Sequence, residues 1–170
     1  MRELKAFNFK QWIDEHREFL KPPVGNKLVF QDAEFIVMVV GGPNKRTDYH
    51  YDESEEFFYQ VEGDIVLKII ENDAPIDIPI REGEIFLLPP RVPHSPQRGP
   101  NTVGLVIERK RTEHEKDGLI WFCEKCNHKL YEEYFLLENI ETQLPTVFNH
   151  FYSSTEHRTC TECATVMAQP

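Results

Sequence analysis

Four cysteines stand in two C-x-x-C pairs, Cys123 with Cys126 and Cys160 with Cys163. One such pair could be a redox dithiol, but two favour a shared metal, because four thiolates make a closed tetrahedral site suited to Zn(II) or to a single iron. The 33 residues between Cys126 and Cys160 exceed the spacing of a compact zinc ribbon, so two separate knuckles must be brought together by the structure between them. A second group of potential ligands lies earlier. Asp48-Tyr49-His50 is separated from Gly42 by five residues, Glu56 from His50 by five, and Gly63 from Glu56 by six. Farther on, five residues separate Gly83 from Pro89-Pro90-Arg91-Val92-Pro93-His94, and three more precede Arg98. A lone histidine or glutamate is usually solvated surface; a set spaced this way across two segments points to a metal site.

These two segments resemble the paired motifs of the cupin superfamily, a double-sheet β-barrel, or jelly roll, whose mouth holds one metal ion. The first motif normally carries His-x-His before its Glu, and Asp48 stands where the first histidine would be. The second normally has Gly where Arg91 stands and Asn where Arg98 stands. The resemblance implies His50, Glu56 and His94 as metal ligands. Such a facial triad suits non-haem Fe(II) and leaves positions for a chelating substrate and dioxygen. Arg46, four residues before His50, and Arg98, four after His94, are expected at the same mouth. There a guanidinium fits a substrate carboxylate, or negative charge developing on dioxygen.

The elements that would position these residues are mostly strands. Short apolar or alternating runs at Leu28–Phe30, Glu34–Val40, Phe57–Val61, Ile65–Ile70, Ile76–Ile80, Glu84–Leu88 and Val103–Glu108 are separated by turn signals such as Glu62-Gly63-Asp64 and Asn72-Asp73. Seven such strands indicate an antiparallel sandwich or barrel. The strand carrying His50 and that carrying Glu56 are expected to face inward across one hairpin, with His94 in the turn after Leu87-Leu88-Pro89-Pro90. On the last strand Gly104, Val106 and Glu108 share a face, so Glu108 is either a desolvated proton acceptor in the barrel wall or the ion-pair partner of Arg109 or Arg111. Ahead of the barrel, Phe9, Trp12, Ile13, His16 and Leu20 predict one amphipathic helix, with Asn8 and Gln11 as a capping pair. Beyond it the reading is an apolar run before the first cysteine pair, a strand at Leu130–Leu137 and a short helix at Leu144–Phe151. The expected organisation is 1–26 as N-terminal helix and loop, 27–116 as the barrel, and 117–170 as a small metal-tied extension with little core of its own.

Composition narrows the function classes. With 29 acidic residues against 19 basic, the 170-residue chain carries a formal charge of −10, which argues against phosphate-backbone binding and hence against a nucleic-acid partner. No window approaches 18 consecutive apolar residues and the amino end is polar, so neither a membrane span nor secretion is expected, and the address is cytoplasmic. At 40% apolar content the chain is a folded domain rather than a disordered one.

Lys21-Pro22-Pro23-Val24-Gly25-Asn26, the run Val40–His50, Glu56-Phe57-Phe58-Tyr59-Gln60 and the run Leu87–Pro96 resemble the 3-hydroxyanthranilate 3,4-dioxygenase family. The similarity runs nearly end to end and includes both cysteine pairs, which mark the shorter single-cupin form of bacteria and fungi. The resemblance implies a homodimeric enzyme of the kynurenine pathway, with catalytic Fe(II) on His50, Glu56 and His94 and a second, rubredoxin-like iron (or zinc) on Cys123, Cys126, Cys160 and Cys163. It implies that dioxygen is the co-substrate and lies near Arg46, that 3-hydroxyanthranilate contacts Arg98, Glu108 and Glu56, and that Val24, Asn26, Asp48 and Pro96 line its pocket. The alternatives are a cupin dioxygenase for another chelating acid and a non-enzymatic, metal-binding cupin sensor.

Overall fold

The computed structural model describes residues 5–22, 25–137 and 140–169. Asn8 caps helix α1 (Phe9–Glu15), its side-chain oxygen accepting from Gln11 N at 2.9 Å, while the Gln11 side chain turns to Glu15 instead of closing a reciprocal box. The helix stops at His16, whose Nδ1 takes the Trp12 carbonyl at 2.7 Å, and the chain continues as a separate 3-10 turn, Arg17–Leu20. The single helix expected over this stretch is therefore two pieces, because a side chain occupies the carbonyl that the next backbone N–H would have used.

Eleven strands follow among the described residues: β1 (Asn26–Leu28), β2 (Phe35–Gly41), β3 (Asp48–Tyr51), β4 (Glu56–Glu62), β5 (Ile65–Glu71), β6 (Ala74–Ile80), β7 (Ile85–Leu88), β8 (His94–Arg98), β9 (Val103–Arg109), β10 (Asp117–Phe122) and β11 (Lys129–Phe135). They form two antiparallel sheets, ordered β1-β2-β9-β4-β7 and β11-β10-β3-β8-β5-β6. This is the mainly β, double-sheet cupin barrel expected from the motifs. Period-two alternation turns Phe58, Leu67, Ile69, Leu88 and Val106 into the shared interior. On the outer face of the first sheet, Val39 and Val103 are covered by Ile13 and Leu20 of the N-terminal segment.

Two strands lie outside the apolar runs of the sequence: β3, expected only from the placement of His50, and β8, which carries His94 and was not expected as a strand. Their inward positions are Asp48, His50, His94, Pro96 and Arg98, so they lack the apolar alternation that reveals a strand. Two positional expectations are corrected accordingly. The strands of His50 and Glu56 do not share a hairpin but lie in opposite sheets, and His94 opens β8 instead of sitting in a turn.

After β9, β10 pairs directly with β3, setting Leu119 opposite His50 and Trp121 opposite Asp48. Helices α2 (Ile140–Ser153) and α3 (Thr155–Arg158) follow β11. Leu119, Trp121, Val147, Phe151 and Met167 form a buried cluster, in which the Trp121 and Phe151 rings stack at 4.3 Å. The segment thus has more core than its length suggested, because its own β10, while paired with β3, packs Leu119 and Trp121 against α2. Tyr152 OH lies 2.6 Å from Thr47 Oγ1, tying α2 to the entry of β3. Among the described residues no helix is long and apolar enough to cross a membrane.

Candidate metal centre

Strand register puts four functional side chains into two facing pairs. His50 is directly opposite His94 on β3 and β8, and Glu56 is directly opposite Glu108 on β4 and β9. The ligand atoms of His50, Glu56 and His94 all lie within 4.8 Å of one another. His94 and Glu56 are buried, with His94 Nε2 2.8 Å from Glu56 Oε2. His94 Nδ1 is 3.0 Å from the Val92 carbonyl, which only accepts, so Nδ1 carries a proton and Nε2 is the atom turned to the carboxylate. Glu56 Oε2 is buried and makes no hydrogen bond. A nitrogen and a carboxylate oxygen this close need a cation between them, a proton or a metal ion, and the nitrogen-oxygen donor set fits Fe(II). Burial pushes the Glu56 carboxyl up, but the adjacent His94, with His50 and Arg46, more than offsets this and holds it at about 2.

His50 Nε2 lies 2.8 Å from Oδ1 of Asp117, a fully buried carboxylate that also accepts from Arg111 Nε and Nη2. Arg111 is a hub: Nη2 is 3.2 Å from Asp52, and Nη1 is 2.8 Å from Glu108 Oε2 without the angle of a hydrogen bond. Glu108 is therefore both a buried barrel-wall carboxyl and the ion-pair partner of Arg111; burial, then the neighbouring charge of Glu56, push it up to about 9 against the pull of Arg111. Asp117 was missed in the sequence because nothing in its spacing marks it, and Arg111 was considered only as a partner for Glu108.

Arg98 is buried, and its guanidinium donates to Gln60 Oε1 at 3.3 Å. Among the described residues no carboxylate lies in salt-bridge range of it, and burial lowers it to about 10. Gly104 makes the room: a Cβ there would stand 2.7 Å from Arg98 Nη1 and 2.9 Å from Gln60 Oε1. Arg46, a third exposed, pairs through Nε and Nη2 with buried Asp48. Despite burial, that pairing keeps the Asp48 carboxyl low, so the residue in place of the first motif histidine serves as Arg46's counter-ion. Asn26 and Arg46 share a cavity of about 520 Å³ with Val40, Pro43 and Asn44; the three triad residues, Arg98 and Glu108 are not in its lining. Pro96 sits between His94 and Arg98, its carbonyl accepting from Asn44 Nδ2 at 2.8 Å. Val24 lies outside the described residues. Arg91, standing for the motif glycine, takes φ +66°, the left-handed region where glycine is unstrained.

The four cysteine sulfurs converge separately, with Cys123 and Cys163 at 3.6 Å and Cys126 and Cys160 at 3.4 Å. Both distances exceed a disulfide bond and approach the edge of about 3.8 Å expected for a tetrahedron with metal–sulfur bonds of about 2.3 Å. The two knuckles repeat one backbone design. Cys123 N donates to His128 O and Asn127 N to Cys123 O; likewise Cys160 N donates to Thr165 O and Ala164 N to Cys160 O. Cys126→Ser is expected to lower the melting temperature by about 10 °C, as lost metal stabilisation of ~3 kcal/mol translates at roughly 3 °C per kcal/mol. Calorimetry with metal analysis checks this, and an unchanged melting temperature would remove the structural role.

Comparison with known proteins agrees with this geometry. A sequence profile of the family described as 3-hydroxyanthranilic acid dioxygenase matches residues 1–152. The 3-hydroxyanthranilate 3,4-dioxygenase of Xanthomonas campestris pv. campestris (strain 8004) is 61% identical over 163 residues, covering 96% of this chain and 92% of its own. That of Jannaschia sp. (strain CCS1) is 57% identical over 167 residues, covering 98% of this chain and 93% of its own. With a barrel of this topology and a match over nearly its whole length, the chain belongs to the 3-hydroxyanthranilic acid dioxygenase family of enzymes.

Proposed function

We propose that this protein opens the ring of 3-hydroxyanthranilate with dioxygen to give 2-amino-3-carboxymuconate semialdehyde, a precursor of quinolinate and so of NAD in the kynurenine pathway. The observation that carries the reading is the convergence of two imidazoles and one carboxylate near a buried arginine that, among the described residues, has no carboxylate in salt-bridge range. Fe(II) held by His50, Glu56 and His94 would supply open positions for the substrate's hydroxyl and amino groups and electrons for dioxygen. Arg98 binds the substrate carboxylate, and Gln60 holds that guanidinium in place. In its ionised form, which Arg111 beside it stabilises, Glu108 accepts the phenolic proton, and its burial favours that transfer. Arg46, steadied by Asp48, presents positive charge where negative charge gathers on dioxygen. Asn26 and Pro96 are assigned to the walls of the substrate pocket.

The four-cysteine site has no open position and is assigned a structural metal, iron or zinc. We assign the enzyme to the cytoplasm. A homodimer is supported by the outer face of the first sheet, where Phe35, Ile85 and Leu87 are exposed beside Phe57 and Tyr59. Sedimentation at the monomer mass at micromolar concentration would remove that part of the reading.

Anaerobic loading of metal-free protein with Fe(II) or with Zn(II), followed by 3-hydroxyanthranilate and air, tests the activity. Oxygen uptake and the absorbance of a conjugated semialdehyde are expected with Fe(II) only, and equal turnover with Zn(II) would sink the mechanism. Gly104→Ala is expected to raise KM about tenfold with kcat nearly kept, because the new methyl displaces Arg98 from a ground-state contact. An unchanged KM would separate Gly104 from substrate binding.

A further inference from the structure

Asp117 and Arg111 lie outside the proposed ligand set, yet Arg111 reaches three buried carboxylates, those of Asp52, Glu108 and Asp117. Asp117 is fully buried on β10, the strand next to that of His50. Its Oδ1 is 2.8 Å from His50 Nε2, while Arg111 holds both its oxygens, Nε at 2.9 Å from Oδ2 and Nη2 at 2.6 Å from Oδ1. An ionised carboxylate can only accept, so His50 must donate from Nε2, and its other nitrogen, Nδ1, is left with the free lone pair a metal ion requires. Arg111, with only donors, keeps Asp117 ionised and fixes its orientation.

We propose that Asp117, clamped by Arg111, is the positioning residue that selects the tautomer and ring orientation of His50 for metal binding. The proposal rests on the reading of His50, Glu56 and His94 as the metal ligands. It makes a sharp distinction between two isosteric changes. In Asp117→Asn one oxygen must serve where Arg111 and His50 shared two, so His50 Nε2 loses its assured acceptor, and with Arg111 competing for that oxygen the amide N–H₂ can face the ring. It then takes the Nε2 lone pair and moves the ring proton to Nδ1, where it blocks the metal. In Asp52→Asn, by contrast, another carboxylate partner of Arg111 is removed, one that instead accepts from Ser54 N and Oγ and makes no contact with His50.

The experiment measures Fe(II) affinity by chelator competition and the EPR signal of the Fe(II)–nitric oxide complex, which the closed four-sulfur site cannot form. Asp117→Asn is expected to bind Fe(II) about 10- to 100-fold more weakly, with a changed signal, and Asp52→Asn to stay within about twofold of the parent. Unchanged affinity and signal in Asp117→Asn overturn the proposal, as does equal weakening in both variants, which would mark a general loss of packing. Should Asp117→Asn fail to fold, Arg111→Lys carries the test: it keeps the charge but loses the two-point grip, so weaker Fe(II) binding is expected and parental binding overturns the proposal. If the parent itself gives no nitric oxide signal, the metal reading fails along with it; a normal parent signal with unaffected variants defeats only the role of Asp117.

Discussion

Glu56→Gln is expected to leave a folded protein that retains no iron at the histidine pair and turns over at least about 10³-fold more slowly. Gln has the shape of Glu, so Phe58 and Leu88 around it need not repack. What disappears is the one anionic ligand. Removing one member of a buried charge pair costs about 2–5 kcal/mol, the upper end being more than three orders of magnitude in metal affinity. The fold has reason to tolerate the change, because Glu56 faces Glu108 in register and the substitution ends a repulsion between buried carboxylates. Metal analysis on the His50 site, with circular dichroism to confirm folding, provides the check. Stoichiometric iron and parental turnover in Glu56→Gln would strike this residue from the ligand set.

Arg98→Ala should raise KM for 3-hydroxyanthranilate about 100-fold. The guanidinium is buried and its resolved side-chain partner is the neutral Gln60, so an incoming carboxylate would supply the counter-charge that burial withholds. A lost interaction of ~3 kcal/mol corresponds to that factor. The sharper measurement compares 3-hydroxyanthranilate with 2-aminophenol, which lacks the carboxylate. In the parent enzyme the two should differ widely in kcat/KM, and in Arg98→Ala the difference should nearly vanish. If the variant still prefers the carboxylated substrate by the parental margin, Arg98 does not bind it.

The strands legible in the sequence were those whose inner face is apolar. Phe58 on β4, Leu67 and Ile69 on β5 and Val106 on β9 are buried between half-buried or exposed neighbours, in short apolar or alternating runs, so β2, β4 to β7 and β9 could be read off directly. Hydrophobic pattern showed neither β3, expected only from the placement of His50, nor β8, because their inward positions were given over to Asp48, His50, His94 and Arg98. Spacing still nominated the three ligand candidates, since separation along the chain survives even where hydrophobic pattern does not. The partners behind them were not legible: Asp117 is 67 residues from His50, and Gln60 is 38 from Arg98. Only the pairing of β10 with β3, and the packing of one sheet on the other, brings them together. Gly104 was equally silent, because the sequence does not show that a guanidinium occupies the space of its missing side chain.

The register of β4 against β9 has one further consequence. Glu56, Phe58 and Gln60 point inward together, opposite Glu108, Val106 and Gly104. Sliding either strand by one residue would turn its own carboxylate, Glu56 or Glu108, out of the interior, and would expel Phe58 or Val106 in the same motion. An error that disarms this protein also strips its core, so misassembled copies would display apolar surface to the cell's quality control. Correct chemistry and correct folding are, for these two strands, one and the same test.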